Sequence, residues 1–175
     1  MRPMSSKISN YPGVEITTED LKARRYLYTQ YKTDLKYAWT SGVATGRLLS
    51  GLKKGELWGR ACPNCGRILF PPRMYCESCF RPTTRWVKLK DTGRVVTYSV
   101  PYVNSDASRR EEPLIVAVIE IDGASPLMGF LHLLGEVRPE AVRVGMRVKA
   151  VWREEAEREG SITDIRYFRP RRRGE

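Results

Sequence analysis

The four cysteines of this protein fall in one short stretch as two CxxC pairs, Cys62-Pro63-Asn64-Cys65 and Cys76-Glu77-Ser78-Cys79, with ten residues between the inner members. A CxxC turn sets two thiolates on one side of a tight knuckle. Two such knuckles brought face to face make a closed tetrahedral cage of four sulfurs, the geometry that zinc takes in structural sites. The loop between them is long enough for a short hairpin and too short for a helical domain, and together these features describe a zinc ribbon. Spacing alone leaves other uses of the cysteines open: two disulfides, a redox CxxC, or an S4 iron site of rubredoxin type. Disulfides suit a secreted chain, yet the polar first residues do not fit a signal peptide, and a single redox pair leaves the second CxxC unexplained. With sulfur at all four positions no open coordination site remains, so the metal is expected to build structure rather than catalyse.

Little else in the chain has the pattern of an active site. His132, the single histidine, sits in an apolar strand with no acid or nucleophile beside it in sequence. Glu120, Asp122 and Glu136 are close in sequence, but Asp122-Gly123 is explained as a turn. There is no phosphate-cradling glycine loop and no dinucleotide fingerprint. No enzyme activity is expected of the chain alone.

The 175 residues allow one or two small domains, and no apolar run approaches membrane-spanning length. Reduced cysteines and the missing membrane span point to a cytoplasmic protein. The formal charge of +11 would suit a polyanionic partner, and its distribution matters. Residues 1–84 carry net +8, residues 85–168 net zero, and the tail from Arg169 net +3.

These residues need elements to position them. Residues 1–16 read as an extended arm. Thr17-Thr18-Glu19-Asp20 is a helix start, and the stripe Leu27, Tyr28, Tyr31, Leu35, Ala38 and Trp39 predicts an amphipathic helix. A shorter helix follows, with Ala44, Leu48, Leu49 and Leu52 inward and Lys53-Lys54-Gly55 as its stop, completing a helical extension over 17–55. This pair either covers the folded body or docks on a partner. The ribbon is expected over 56–84. From 85 to 168 five or six short strands, among them 86–89, 94–100, 114–121, 127–133, a turn then a strand over 143–152, and 162–168, predict a small closed barrel, most simply an OB-fold, followed by a basic tail at 169–175. The fold class is therefore mainly β, with a helical N-terminal extension.

A zinc ribbon followed directly by an OB-type barrel resembles an acyl-CoA-associated family long catalogued as a domain of unknown function. The resemblance rests on Cys62-Pro63-Asn64-Cys65-Gly66, Phe70-Pro71-Pro72-Arg73, Cys76-Glu77-Ser78-Cys79, the strand 93–100, the strand from Pro113 through Ile121, and Val144-Gly145-Met146-Arg147-Val148. It implies a rubredoxin-like zinc ribbon with zinc on Cys62, Cys65, Cys76 and Cys79. It also implies a non-catalytic subunit that binds or channels acyl-CoA, or scaffolds thiolase or HMG-CoA synthase-like enzymes. Coenzyme A phosphates want Lys, Arg or backbone N–H groups, and Arg67, Arg73, Lys88, Lys90 and Arg94 near the domain junction are the candidate contacts. The alternative is a nucleic-acid-binding ribbon and OB-fold, with Trp86, Tyr98, Tyr102 and Phe130 able to stack. The neutral barrel argues against it, because single-strand binders normally present a positive groove.

Overall fold

The computed structural model describes residues 16–27, 29, 32, 34 and 36–172. The chain divides into two units, Met1–Ala38 and Trp39–Glu175.

In the first unit the start signal at Thr17 is built as expected. Helix α1 (Thr18–Lys22) opens with a reciprocal capping box, in which the Thr17 hydroxyl accepts the Asp20 N–H and the Asp20 carboxylate accepts the Thr17 N–H. The helix then stops. Arg24 takes a left-handed φ of 51°, and the described residues from Arg25 to Thr40 are not helical. The long amphipathic helix expected to run to Trp39 is therefore corrected to a single turn and a half; Tyr28, Tyr31 and Leu35 of its stripe lie outside the described residues. A short helix is stable only when its apolar face is buried, and Leu27 is fully exposed here.

The second unit begins with α2 (Gly42–Lys53), which buries Ala44, Leu48, Gly51 and Leu52 and ends where Gly55, at φ 71°, donates to the Leu52 carbonyl. Gly51 lies against the Trp58 ring so closely that a methyl group there would come within 2.5 Å of its Cδ1. Helix α2 packs on β1 (Leu57–Ala61), the centre of a three-stranded antiparallel sheet completed by β2 (Ile68–Leu69) and β3 (Arg85–Leu89). Strand β3, expected to open the barrel, instead pairs with β1 from Leu57↔Leu89 to Ala61↔Arg85. In that register Leu89 lies opposite Leu57, so both buried leucines face one core.

The barrel proper is β4 (Thr92–Ser99), β5 (Val116–Ile121), β6 (Gly129–Leu133), β7 (Arg147–Trp152) and β8 (Ile165–Pro170), in the order β6-β5-β4-β7-β8. A parallel bridge between Leu134 and Phe168 brings its two edges together, which gives the OB-fold. Strand β5 shows the alternation that built it: Ala117, Ile119 and Ile121 are buried while Val116, Val118 and Glu120 are half-exposed.

Ribbon and barrel share one core. Leu57, Leu69 and Phe70 of the ribbon belong to the same buried cluster as Val95, Ile119, Val148 and Phe168 of the barrel. The Phe70 ring meets Phe130 edge-on at 5.2 Å, and Phe130 in turn meets Phe168 at 5.9 Å. At the same seam the Ile68 N–H donates to the Ser125 hydroxyl at 2.8 Å and its carbonyl accepts the Ser125 N–H at 2.9 Å.

Candidate metal centre and ligand surfaces

The two knuckles have the same closed shape. In the first, the Cys62 N–H donates to the Arg67 carbonyl and the Gly66 N–H to the Cys62 carbonyl. In the second, the Cys76 N–H donates to the Arg81 carbonyl and the Phe80 N–H to the Cys76 carbonyl. The residue after the second cysteine of each knuckle turns the chain back with positive φ, 71° at Gly66 and 53° at Phe80. This geometry holds all four sulfurs within 4.8 Å of one another, with Sγ separations of 3.5 Å for Cys62–Cys79, 3.5 Å for Cys65–Cys76 and 3.9 Å for Cys65–Cys79. A tetrahedral zinc thiolate site with bonds near 2.3 Å has sulfur–sulfur edges of about 3.8 Å, so the cage fits the ion.

The knuckle backbone also favours thiolates. The Cys65 N–H, helped by that of Asn64, brings the Cys62 thiol down to about 7 against the opposing effect of burial. The Ser78 N–H lowers Cys76 in the same way. For Cys65 the Arg67 N–H also acts downward, but burial and the three crowded sulfurs outweigh it and push that thiol up to about 12. A set of four sulfurs in which two are already disposed to ionise is suited to a divalent cation, whose charge supplies what the remaining thiols lack.

The five cations proposed to meet phosphate do not converge. Arg67 and Arg73 both reach Glu77, at 2.8 and 3.8 Å, on the outside of the ribbon. Arg94 pairs with Glu120 on the barrel at 2.7 Å. Only Lys88 and Lys90 come together, in a cleft of about 360 Å³ where the ribbon sheet meets the barrel. Arg147 and Arg171 join them there, along with Glu56, Asp91 and Asp122. Glu56 takes Lys88 at 2.7 Å, and Asp122 takes Arg147, which holds the Asp122 carboxyl below its usual range. Lys90 and Arg171 have no ion pair among the described residues. Arg171 was out of reach of sequence reasoning because the tail was set apart from Arg169. Strand β8 in fact runs to Pro170, and the Arg171 N–H closes on the Arg147 carbonyl at 2.9 Å.

His132 is half-buried, and both ring nitrogens are used. Nδ1 accepts the Leu133 N–H at 2.9 Å, which leaves Nε2 to donate to the Ile162 carbonyl at 3.3 Å. Burial holds the ring below its ordinary value. The imidazole thus links β6 to the turn before β8, where the two strands have only one bridge.

Beside His132 runs a groove of about 860 Å³, lined by Val116, Leu131, Leu133, Ile162 and Tyr167, with Arg153 and Arg166 balanced by Glu154 and Glu157. OB-folds bind oligonucleotides with this strand face and its neighbouring loops. Here the groove is apolar and its rim neutral. Of the four aromatics considered for stacking, Phe130 packs against the core cluster and Trp86 lies under the Arg60 guanidinium at 4.5 Å. Tyr98 and Tyr102 are exposed, and neither lines the groove. Among the described residues the four cysteines form the one group of three or more metal-ligating side chains, and no helix is long and apolar enough to cross a membrane.

Comparison with known proteins places these features. Residues 49–85 match the model of the rubredoxin-like zinc ribbon domain of ChsH2, and residues 86–153 that of the ChsH2 C-terminal OB-fold domain. A DUF35 domain-containing scaffold protein of Methanocaldococcus jannaschii is 36% identical over 117 residues, which span 65% of this chain and 81% of that one. A second protein of the same description, from Methanothermobacter thermautotrophicus, is 29% identical over 120 residues, 66% of this chain and 87% of that one. Among solved structures, a DUF35-family protein of unknown function from Sulfolobus solfataricus superposes with a TM-score of 0.53 at 30% identity, covering 63% of this chain and 78% of that one. The Ltp2-ChsH2(DUF35) aldolase superposes with a TM-score of 0.55 over 77% of this chain and 98% of that one; at 22% identity the likeness is one of fold.

Proposed function

Because this chain belongs to the DUF35 family, whose relatives here are named scaffold proteins, we propose that it is a non-catalytic scaffold subunit of a thiolase-type, acyl-CoA-using enzyme assembly. In this reading zinc on Cys62, Cys65, Cys76 and Cys79 fixes the ribbon, and the cleft between ribbon and barrel takes the phosphates of coenzyme A. That cleft carries the reading. It gathers Lys88 from β3, Lys90 from the turn after it, Arg147 from β7 and Arg171 from the tail, with Lys90 and Arg171 in no ion pair among the described residues and the Lys90 ammonium acting on Asp122 through its field alone. Phosphate oxygens are suited to such a pair of cations. Arg67, Arg73 and Arg94, each committed to a glutamate, contribute background charge.

The test is calorimetric titration of acetyl-CoA and acetoacetyl-CoA, beside single-stranded oligonucleotides, at physiological salt. It is run on the chain alone and on the chain co-purified with the thiolase-type enzyme of its source organism. Micromolar CoA binding that falls at least tenfold in Lys90→Glu supports the reading. Tight oligonucleotide binding with no CoA signal, or failure to form any complex with the enzyme, refutes it.

A further inference from the structure

The two zinc knuckles differ at one informative position. Both need a residue of positive φ after their second cysteine, and the first supplies glycine, for which that conformation carries no steric penalty. The second supplies Phe80, a bulky side chain held at φ 53° with 81% of its surface exposed. Such a residue pays backbone strain and leaves an aromatic ring in water, so it adds nothing to folding. Strain of this kind persists where a function requires the side chain. Its surroundings fit an interface. Tyr75 and Met74, on the same loop, are 64% and 39% exposed. Arg81 and Arg85 flank the knuckle and have no acidic partner among the described residues, while Glu77, the single acid between Cys62 and Arg85, is already held by Arg67 and Arg73.

We infer that the Phe80 knuckle is the anchor by which this chain docks on its client enzyme, the ring entering an apolar pocket whose rim is acidic. Aromatic and arginine side chains are the residues that carry binding energy at protein interfaces, and a ring already fixed by a metal-braced turn loses little freedom on docking. The cationic flank chooses an acidic rim and speeds encounter. A protein is favoured over nucleic acid because the OB groove that a strand would continue into is apolar with a neutral rim. The inference rests on the scaffold reading above.

The test uses the full zinc-loaded chain and the purified thiolase-type enzyme of its source, with affinity read by calorimetry. Phe80→Gly should keep its zinc, melt no lower than the parent, and bind the enzyme at least tenfold more weakly; Arg81→Glu should slow association and flatten its salt dependence. Less than a tenfold loss in Phe80→Gly, or a lower melting temperature, overturns the inference while leaving the scaffold reading intact. The same holds if Phe80→Gly abolishes binding of a dT15 oligonucleotide but not of the enzyme. No complex with the parent chain overturns both.

Discussion

Replacing Phe70 by alanine separates two ways in which ribbon and barrel could be joined. If they were independent domains linked by chain, the loss would weaken the ribbon and leave the barrel's unfolding unchanged. The structure argues otherwise. Phe70 belongs to the ribbon in sequence, is 1% exposed, and meets the barrel through the Phe130 ring at 5.2 Å and an interplanar angle of 80°. Emptying a site of that size costs about 3–5 kcal/mol, because the cavity left behind collapses only in part. The edge-on ring pair accounts for roughly 0.5–1.5 kcal/mol of this, and a double-mutant cycle with Phe130→Ala isolates it. For a body of this size each kcal/mol lowers the melting temperature by about 3 °C, so Phe70→Ala should melt roughly 10–15 °C below the parent. Scanning calorimetry and urea unfolding should be followed by tryptophan fluorescence and by the thiolate-to-metal absorption of the cobalt-substituted cage. The cobalt signal reports the ribbon and calorimetry reports both domains. All signals should move together, as one transition. By the same coupling, metal loss in Cys65→Ser or Cys76→Ser should destabilise ribbon and barrel together. Two resolved transitions, with the barrel's unmoved by Phe70→Ala, would refute the shared core.

Two further substitutions probe buried polar groups. The Asp164 carboxylate, 1% exposed, accepts the N–H groups of Glu159, Gly160 and Ser161 at 2.8–3.1 Å, so Asp164→Asn should cost about 1.5–3 kcal/mol. Burial raises that carboxyl but the three donors outweigh it, so its folded value is depressed. Its contribution is therefore complete above the unfolded value near 3.9 and lost as pH falls further, and urea midpoints between pH 5 and 2.5 should decline less steeply in the asparagine variant. His132 is also depressed, by burial, so the folded chain binds fewer protons than the unfolded one just below the ordinary value of about 6.5. Stability should decline as pH falls from 7.5 to 5, and the decline should be shallower in His132→Gln; an equal slope in both would exclude the neutral ring bridging Leu133 and Ile162.

The metal cage was legible because it is local. Two CxxC turns and the loop between them fix the sulfurs with little help from the rest of the chain, and Gly66 announces the positive φ that closes the first knuckle. The barrel was legible for a related reason: its strands carry their own alternation and turn signals, as in Ala117-Val118-Ile119-Glu120-Ile121 before Asp122-Gly123. What could not be read depends on long-range pairing. Which strand 86–89 pairs with is decided by the partner lying beside it, and Leu57 opposite Leu89 sets it in the sheet of β1. The apolar stripe through Leu27 and Trp39 satisfied the helical period, but period expresses only a capacity to bury a face, and Leu27 and Trp39 are exposed here. Which of the candidate phosphate contacts lie together was hidden for a third reason: sequence shows where cations are, not which acids reach them, and Glu77 and Glu120 hold three of the five.

That last difference bears on what a scaffold must offer. A surface whose charges are internally paired presents little to a partner, because breaking each pair costs about what a new one returns. Docking and ligand capture should therefore concentrate where pairing is incomplete and apolar surface is exposed. In this chain ion pairing is incomplete at the cleft of Lys90 and Arg171, and both conditions meet at the knuckle of Phe80, Arg81 and Arg85. The two places lie on elements joined by β1 and β3, whose pairing from Leu57↔Leu89 to Ala61↔Arg85 forms one rigid ladder. A partner seated on the knuckle is thereby held in register with whatever occupies the cleft, and that positional constraint is the physical work a non-catalytic subunit can do for an enzyme.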